Sequence, residues 1–386
     1  MRIALNATSL LSPLTGIGHY TRELAYGLLR QPEIDVELFY GAAWNKTVRE
    51  APLPGAGKVL PWLRRHLPHS YAMRRAIQSN RFARQAKPER FDLYHEPNIL
   101  PLPFDGPTIL TVHDVSWIRH PTAHPIERVR AMDRYFPAAI AQAQRIITDS
   151  QFVKQELTDL FGLRVDRVDV VPLGVDPLFR PLDARQTDRA LTPIGLVHGR
   201  YFLVVGTLEP RKNLQTALDA FMLLPEPLRK QYPLVIAGMP GWNNSALMQR
   251  ISAMESSGEV RRLGYLSRAD LACLLAGATA LLFPSIYEGF GLPPLEAMAC
   301  GAPVVASNAA SIPEVVGKCG LLHDPFDANA MSLSMRSLLD DSLMRNSLKE
   351  MGLKQSAGFT WDACIKGTVR VYEKVLGPSR VTAPGR

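Results

Sequence analysis

The sequence predicts an α/β protein built from two successive doubly wound halves. Short runs rich in β-branched residues alternate along the chain with segments of helical periodicity. These runs are continuously apolar, which is typical of parallel strands covered on both faces. The alternation is interrupted from Pro177 to about Gly199, a stretch rich in Pro, Arg and Asp, and then restarts. We therefore expect two parallel sheets joined by a linker and facing each other across a cleft.

The first half begins with a strand, and the helix after it carries one apolar face formed by Thr21, Leu24, Ala25 and Leu28. The predicted strands of this half are Arg2–Thr8, Asp35–Gly41, Asp92–Glu96, Thr108–Asp114, Arg145–Ser150 and Asp169–Gly174. The second half has predicted strands at Tyr201–Thr207, Pro233–Gly238, Val260–Tyr265, Ala280–Ser285 and Pro303–Ser307, with helices from Asn213, over Ser245–Ser256 and over Trp361–Leu376. The predicted domains are 1–180 and 200–360, with a linker at 181–199 and a final helix and tail at 361–386 that packs back across the linker.

Composition indicates a folded, soluble protein. Of the 386 residues, 46% are hydrophobic and 21% are charged. Polar residues interrupt the amino end before the hydrophobic core of a secretion signal could form, and the most apolar run, Leu271–Phe283, is too short to span a bilayer. The four cysteines share no metal-ligand spacing, so we expect free thiols in the cytoplasm.

The formal net charge of +8 favours anionic partners. Much of the positive charge lies in the segment Lys58–Arg90, where aromatic and aliphatic residues are interleaved. A solvated helix face and a surface that lies on anionic lipid are both open interpretations, and the second would place the protein peripherally on the inner face of the cytoplasmic membrane. No helix-turn-helix, zinc-knuckle or RNP-like pattern supports a nucleic-acid partner.

Four polar motifs follow predicted strands, and ligands of open α/β sheets collect at that edge. The first is the Gly16-Ile17-Gly18 segment, whose glycines would let the backbone approach a phosphate at a helix N-terminus. A dinucleotide fingerprint would need glycine in place of Thr21 and an acid in place of Tyr40 or Gly41, so NAD is not predicted. An ordinary tight turn stays open.

The second motif is His113-Asp114, at the end of a predicted strand. A lone histidine can be purely structural. At a strand end it can also hydrogen-bond a sugar hydroxyl or offer its carbonyl group to a reacting centre.

The third motif is Gly206–Leu214, which places Arg211 and Lys212 in the first turn of the predicted helix from Asn213. Cations there oppose the helix dipole. An anion bound between them and the backbone N–H groups would reverse that effect, so a diphosphate clamp and two solvated bases are the alternatives.

The fourth motif is YEGFGLPPLEAMACGAPVVAS, Tyr287–Ser307, with Glu288 after a strand and Glu296 in the first turn of the next helix. Stabilisation by the helix dipole is enough to explain an acidic residue at position 296. It does not explain a turn that carries two glycines, an aromatic residue and a second acid. Glycines in this turn would let backbone amides close on a ligand.

This last motif resembles the E-x(7)-E signature of the family 4 retaining glycosyltransferases, which have the GT-B fold. The resemblance extends to G-T-L-E-P-R-K-N, L-V-I-A-G and R-L-G-Y-L-S, and to G-I-G as a looser form of the usual double glycine. It covers nearly the whole chain. The segments H-E-P-N from His95 and H-D-V-S-W-I-R-H-P from His113 look like bacterial mannosyl- and rhamnosyltransferases of O-antigen or other surface-polysaccharide assembly.

The resemblance implies catalytic roles for four residues. Glu288 would hold hydroxyls of the donor sugar near the reacting carbon, Arg211 and Lys212 would neutralise the diphosphate leaving group, and His113 would lie beside the transferred sugar. Glu296 would hold the nucleotide ribose. The other implied donor-binding residues are Gly16, Gly18, Gly206, Thr207, Tyr265, Leu266, Phe290, Gly291 and Leu292, and Asn98 and Asp114 are expected on the acceptor side.

The expected reaction is transfer of a hexose, mannose or rhamnose, from a nucleoside diphosphate sugar with retention at the anomeric carbon. GDP is the expected nucleotide, and a glycan or polyprenyl-diphosphate-linked glycan is the expected acceptor. The first half would bind the acceptor and the second the nucleotide sugar.

No metal or other cofactor is expected, because two cations replace the metal and no Asp-x-Asp pair is evident. A retaining glycosidase needs two carboxyls about 5 Å apart around one bond, so Glu288 and Glu296 are predicted to hold opposite ends of one ligand. A GT-B epimerase or phosphorylase and a non-catalytic sugar-nucleotide-binding protein are the alternatives.

Overall fold

The computed structural model describes residues 1–12, 14, 16–49, 70–239, 241 and 245–377. The chain divides into two compact units. The first comprises Met1–Asp114, Arg130–Leu173 and Trp361–Arg386, and the second comprises Val115–Val129 and Gly174–Thr360. Each unit is organised around one sheet, as the alternation of apolar runs and helical segments predicts.

The sheet of the first unit has seven strands in the order β3-β2-β1-β4-β5-β6-β7. The strands are β1 Arg2–Asn6, β2 Asp35–Phe39, β3 Trp44–Asn45, β4 Leu93–Glu96, β5 Thr108–Thr111, β6 Arg145–Thr148 and β7 Val168–Val170. All neighbours pair in parallel except β2 and β3, which form an antiparallel pair. The strand order changes direction between β1 and β4, and this topological switch point is where doubly wound sheets bind ligands.

The sheet of the second unit has six parallel strands in the order β10-β9-β8-β11-β12-β13. They are β8 Phe202–Val205, β9 Leu234–Ala237, β10 Val260–Gly264, β11 Ala280–Phe283, β12 Val304–Ser307 and β13 Leu321–His323. Renumbered within the unit, this is the Rossmann order 3-2-1-4-5-6, and its switch point lies between β8 and β11. β9, β11 and β12 are buried at every position, which explains their continuous apolar sequences.

Helices connect these strands. In chain order they are α1 Gly16–Leu29, α2 Ser70–Gln85, α3 Ser116–Arg119, α4 Ile126–Gln142, α5 Gln151–Phe161, α6 Ala184–Leu191, α7 Leu214–Met222, α8 Glu226–Gln231, α9 Ser245–Glu255, α10 Arg268–Gly277, α11 Leu292–Ala299, α12 Ile312–Val316, α13 Ala328–Asp340, α14 Ser342–Ser356 and α15 Trp361–Leu376. Short 3-10 helices include Thr8–Leu11 and Pro210–Lys212. No helix in the described ranges combines the length and the apolar character needed to cross a membrane.

The final helix belongs to the first unit and packs on α1. Its buried residues Ile365, Thr368 and Tyr372 recur at helical spacing and form its apolar face. A Cβ atom added at Gly27 of α1 would lie 2.3 Å from Ile365 Cγ1, so glycine is what allows the two helices to approach.

The structure corrects several element boundaries. Helix α1 begins at Gly16, two residues before the predicted helical stretch, so both Gly16 and Gly18 belong to its first turn. Several strands end two to four residues earlier than predicted; β5, for example, ends at Thr111 rather than Asp114. The segment Pro177–Gly199 includes the helix α6, which begins at a capping box between Asp183 and Gln186. All four cysteines are buried free thiols.

Candidate functional site

The strongest cluster of charged side chains lies at the β8/β11 switch point of the second unit. The loop after β8 carries Arg211 and Lys212, and the loop after β11 carries Glu288. The Lys212 Nζ atom lies 2.6 Å from Glu288 Oε1, and the Arg211 Nη1 atom lies 3.0 Å from Glu288 Oε2. Arg211 Nε also lies 2.5 Å from Glu209 Oε1. The structure thus brings three of the four predicted catalytic residues into one ion-pair cluster.

The cluster is buried rather than solvated. The side chains of Arg211, Lys212 and Glu288 are only 16%, 15% and 9% exposed. Two cations and two carboxylates are balanced within it, so an anion that enters must compete with Glu288 and Glu209 for the cations. Removing a single member of such a buried group leaves an uncompensated charge and is strongly destabilising.

Burial and pairing shift the pKa values in the cluster. Burial alone would raise the pKa of Glu288, but the charges of Lys212 and Arg211 more than offset this, and the pKa of Glu288 falls below its ordinary value. Burial and the neighbouring charge of Arg211 lower the pKa of Lys212, although Glu288 and Glu209 oppose this shift. The ionised form of Glu288 is therefore held by its two cations.

The backbone explains how neighbouring residues Arg211 and Lys212 both reach Glu288. They lie in the 3-10 turn Pro210–Lys212, and Asn213 follows with a left-handed φ of 51° before α7 begins at Leu214. The prediction that these two cations occupy the first helical turn is therefore wrong, because this extra turn separates them from the helix. The Asn213 side chain donates hydrogen bonds to the carbonyls of Pro284 and Pro325, which ties the loop after β8 to the loop after β11.

Two glycines bring neighbouring loops into close contact. Gly206 follows β8 with a φ of +146°, and Gly238 follows β9 with a φ of +157°. A Cβ atom added at Gly238 would lie 1.9 Å from the Gly206 carbonyl oxygen. Gly206 and the half-buried Thr207 therefore lie in a backbone crossing that only glycine at position 238 permits.

The segment from Glu288 to Leu292 forms the turn before α11. The Ser311 hydroxyl lies 2.8 and 2.9 Å from the carbonyl oxygens of Glu288 and Phe290, so it fixes the turn from one side. Phe290 is buried, Leu292 is half-buried, and Gly291 has a φ of +114°. The conformation of this turn is therefore fixed by the loop after β12, which carries Ser311.

Glu296 lies beyond the first turn of α11, contrary to the sequence prediction, because the helix begins at Leu292. It is buried, and its carboxylate lies 3.6 Å from Arg268 Nη1. Arg268 also pairs with Asp176 at 3.2 Å. Burial raises the pKa of Glu296 to about 7, with Asp176 adding to the rise and Arg268 opposing it. Glu296 thus changes charge near neutral pH.

The remaining predicted donor-binding residues of the second unit follow β10. The Tyr265 side chain is 55% exposed and Leu266 is half-buried. An exposed aromatic ring at the end of a strand is available for stacking on a planar ligand.

The other predicted residues lie in the first unit. A Cβ atom at Gly16 would meet nothing within 4 Å, whereas one at Gly18 would lie 2.9 Å from Leu14 Cδ2. His113 is buried, and its ring meets Tyr20 edge-on with centroids 4.8 Å apart. Asn98 is exposed and Asp114 is half-buried.

Sequence reasoning did not identify Glu209, Ser311 or Asp149 as members of these sites. Glu209 lies within the G-T-L-E-P-R-K-N segment, and an acid two residues before Arg211 was the available signal. Ser311 bonds to Phe290, 21 residues away in the sequence, and Asp149 bonds to His113, 36 residues away. No local sequence pattern predicts either contact.

Within the part of the chain that the structure describes, no group of three or more His, Cys, Asp or Glu side chains is placed to hold a metal ion. Metal-free transfer stays a prediction.

Comparisons with known proteins agree with this architecture. Residues 14–178 match the family model "Glycosyltransferase Family 4", and residues 196–355 match "Glycosyl transferases group 1". The chain is 36% identical over 383 residues to the O-antigen chain mannosyltransferase B of Escherichia coli, with 97% of this chain and all of the relative covered.

Solved structures show the same fold. Sucrose-phosphate synthase from Thermosynechococcus elongatus superposes with a TM-score of 0.75 at 21% identity, over 97% of this chain and 98% of that one. Anabaena Alr3699/HepE in complex with UDP-glucose superposes with a TM-score of 0.69 at 18% identity, over 97% and 100% of the two chains. Two Rossmann-like sheets, both family models and a full-length relative confirm the GT-B prediction, and the chain belongs to the family 4, group 1 glycosyltransferases.

Proposed function

We propose that this glycosyltransferase moves mannose from GDP-mannose to a hydroxyl group of a growing surface glycan, with retention at the anomeric carbon. The similarity to an O-antigen mannosyltransferase over the full length supports mannose as the sugar and a polysaccharide as the product. Rhamnose from GDP-rhamnose is the alternative donor sugar.

The buried Arg211–Lys212–Glu288 cluster is the observation that carries this proposal. As the glycosidic C–O bond breaks, negative charge develops on the diphosphate. Two preorganised cations in a site of low solvent access stabilise that charge far more than water would. When the diphosphate takes over these cations, Glu288 becomes available to accept hydrogen bonds from the sugar hydroxyls.

Glu296 and Tyr265 complete the proposed donor site. The ionised Glu296 carboxylate accepts hydrogen bonds from the ribose hydroxyls, and the exposed Tyr265 ring lies against the base. The departing phosphate oxygen takes the proton of the acceptor hydroxyl, so the reaction needs no protein nucleophile. Transfer is proposed to continue in the presence of a chelator, because Arg211 and Lys212 do the work of a metal ion.

The proposed acceptor is a glycan, either free or linked to polyprenyl diphosphate, and the proposed location is the cytoplasmic membrane surface. Of the basic segment Lys58–Arg90, residues 58–69 lie outside the described residues. In the described part Arg81, Arg84 and Lys87 are exposed, while Phe82 is fully buried in the core of the first unit. The basic side chains, and not this aromatic ring, would meet anionic lipid.

The test is incubation of the purified chain with GDP-mannose and an octyl-linked α-mannose disaccharide, with and without a chelator. Formation of an α-linked trisaccharide in both samples is expected. Conversion of the sugar nucleotide without acceptor would instead indicate an epimerase, and phosphate-dependent release of a sugar phosphate would indicate a phosphorylase. Tight GDP-mannose binding without turnover on any mannoside would favour a non-catalytic binding protein.

A further inference from the structure

Two buried histidines in the first unit differ in their hydrogen-bond partners: His95 contacts two hydroxyl groups, and His113 contacts a carboxyl group and a carbonyl group. His95 Nδ1 lies 2.7 Å from the Tyr372 hydroxyl, and His95 Nε2 lies 2.8 Å from the Thr111 hydroxyl. Each hydroxyl can donate or accept, so a neutral ring satisfies both contacts. Burial and the charge of His113 lower the pKa of His95 to about 3, which agrees with a neutral ring.

The partners of His113 are a carboxyl group and a backbone carbonyl. Burial raises the pKa of Asp149, and the charge and hydrogen bond of His113 oppose that rise. His113 Nδ1 lies 2.6 Å from Asp149 Oδ2, and its Nε2 lies 3.1 Å from the carbonyl oxygen of Pro97. A ring that donates to a carboxylate and to a carbonyl at once must carry a proton on both nitrogens. Burial alone would lower the pKa of His113, but the charge and hydrogen bond of Asp149 more than offset it, and the pKa lies above its ordinary value.

The carbonyl that His113 holds belongs to the turn Glu96–Leu100, which follows β4 at the β1/β4 switch point. Within this turn Ile99 has a φ of +64°, a conformation that β-branched residues rarely adopt. Such strain persists only where neighbouring contacts fix the backbone. Glu96 Oε1 accepts the Asn98 N–H group at 3.0 Å, and the Ile99 N–H group donates to the Thr111 carbonyl. Asn98 itself projects to solvent.

We propose that Asp149 is a positioning residue that, through a doubly protonated His113, fixes the Glu96–Leu100 turn in the strained form that binds the acceptor glycan at Asn98. In the ligand-free protein both ring nitrogens of His113 are engaged, one with Asp149 and one with Pro97. This inference rests on the proposed function only for the identity of the acceptor.

Asp149 is held in place by the elements around it. It lies between β6 and Ser150, the N-cap of α5, whose hydroxyl accepts the Val153 N–H group. Asp149 is 2% exposed, so its charge acts on His113 with little solvent screening. The other titratable groups that act on the pair are Asp114 in the same loop, His95 on β4, Tyr20 on α1 and Cys364 on α15.

Loss of one proton releases the turn. As the pH rises through the folded-state pKa of His113, the carboxylate of Asp149 keeps the proton on Nδ1, so Nε2 loses its own. The Nε2 lone pair then faces the lone pairs of the Pro97 carbonyl. Because the folded-state pKa is raised above that of the unfolded chain, the stabilisation is complete at low pH and is lost as the pH rises through the folded value.

The variant Asp149→Asn separates charge from geometry. The asparagine amide can donate to Nδ1, so a neutral His113 keeps its proton on Nε2 and the bond to Pro97 no longer titrates. Asp169→Asn is the matched control, because Asp169 is a carboxylate of the same sheet that pairs instead with Arg145 and Lys374. Glu96, whose pKa burial raises to about 7, is unchanged in both variants, so its titration cancels in the comparison.

The test has a readout that needs no substrate. Nitrogen-15 NMR of the histidine rings in the ligand-free protein should show His113 protonated on both nitrogens at pH 6, below the ordinary histidine pKa, in the wild type and in Asp169→Asn, and only on Nε2 in Asp149→Asn. Over the His113 titration, protection from hydrogen exchange at the Ile99 amide should fall about tenfold more in the wild type than in Asp149→Asn, because the Glu96 contribution is common to both proteins. A neutral wild-type ring at pH 6, or identical exchange in the wild type and Asp149→Asn, would overturn the proposal.

The functional readout is the KM for the octyl-linked mannose disaccharide. In the wild type it should rise about tenfold over the His113 titration, the effect of one charge-assisted hydrogen bond, while the KM for GDP-mannose changes less than twofold. In Asp149→Asn that tenfold rise should be lost, and only the Glu96 contribution, which the wild type shares, should remain. An acceptor KM that follows the wild-type profile in Asp149→Asn would refute the acceptor role. Absence of mannosyl transfer in every protein would refute the proposed function and its acceptor, while the NMR result would still decide the positioning role.

Discussion

At the scale of single residues, the proposed function depends on Arg211 and Lys212, which hold the Glu288 carboxylate in a buried ion-pair cluster. Lys212 donates to Glu288 at 2.6 Å, and both side chains are buried. The sequence supplied the three residue types and their places after strands. It could not supply the pairing, because Lys212 and Glu288 are 76 residues apart and meet only through the sheet topology.

Replacing Lys212 with Gln should lower kcat by about 100-fold, because one preorganised donor to the developing charge is lost. It should also destabilise the fold by about 3 kcal/mol, since Glu288 loses a buried partner. Steady-state kinetics well below the melting temperature separates the two effects. Lys230→Gln is the matched control, because it removes the same charge from an exposed pair with Glu226. Wild-type kcat in Lys212→Gln would contradict the clamp.

Glu296 should make nucleotide binding depend on pH. The pKa of Glu296 is about 7 in the folded protein and 4.5 for an ordinary glutamate. Between these two pH values the folded protein keeps a proton on Glu296 that the unfolded chain has lost. The stability that this proton contributes is therefore lost as the pH rises through about 7. In the proposed donor site the ribose hydroxyls donate to Glu296, and the ionised carboxylate is a stronger acceptor than the protonated carboxyl group. The Kd for GDP, measured by calorimetry, should therefore rise about tenfold for each pH unit below 7.

Glu296→Gln serves as the control for that measurement. It carries no charge at any pH, so the part of the GDP titration that belongs to this site should vanish in the variant. A variant that keeps the full wild-type pH dependence would show that other groups cause it.

At the scale of elements, the site depends on loops that cross at glycine. The crossing of the loops after β8 and β9 leaves 1.9 Å between the Gly206 carbonyl and a Cβ atom at Gly238. Gly238→Ala should therefore move the loop that carries Arg211 and Lys212. We expect a loss of about 2 kcal/mol or more in the free energy of unfolding and a weaker Kd for GDP.

The variant Gly258→Ala measures the cost of backbone strain alone, without a steric clash. Gly258 also has a positive φ, of 75°, but a Cβ atom there meets nothing within 4 Å. Denaturant unfolding should show a smaller loss, about 1 kcal/mol, with unchanged GDP binding. Equal losses in the two variants would mean that the loop crossing is not what position 238 protects.

The sequence predicted the elements well where burial dictates the pattern. Strands such as β9 and β11 are buried at every position, and the final helix has the predicted bounds Trp361–Leu376. Prediction failed where a local hydrogen bond or an extra turn decides the boundary. The 3-10 turn Pro210–Lys212 shifts two cations out of the helix, and the early start of α11 moves Glu296 out of its first turn.

At the scale of the whole molecule, the net charge of +8 should matter for membrane binding. Vesicles that contain anionic lipid should bind the protein at low salt and release it as salt rises, because exposed charges are screened. Replacing Arg81, Arg84 and Lys87 with Gln should weaken sedimentation with these vesicles. Neutral vesicles are the control. Failure to bind anionic vesicles at any salt concentration would contradict the proposed peripheral location on the membrane.

The central claim is that the cluster at the β8/β11 switch point binds the diphosphate of the sugar nucleotide. The most direct measurement is a crystal structure with a bound 2-fluoro analogue of GDP-mannose. We expect diphosphate oxygens within hydrogen-bond distance of Arg211 and Lys212, and sugar hydroxyls that donate to Glu288. A nucleotide bound elsewhere, with the Lys212–Glu288 pair intact, would contradict it.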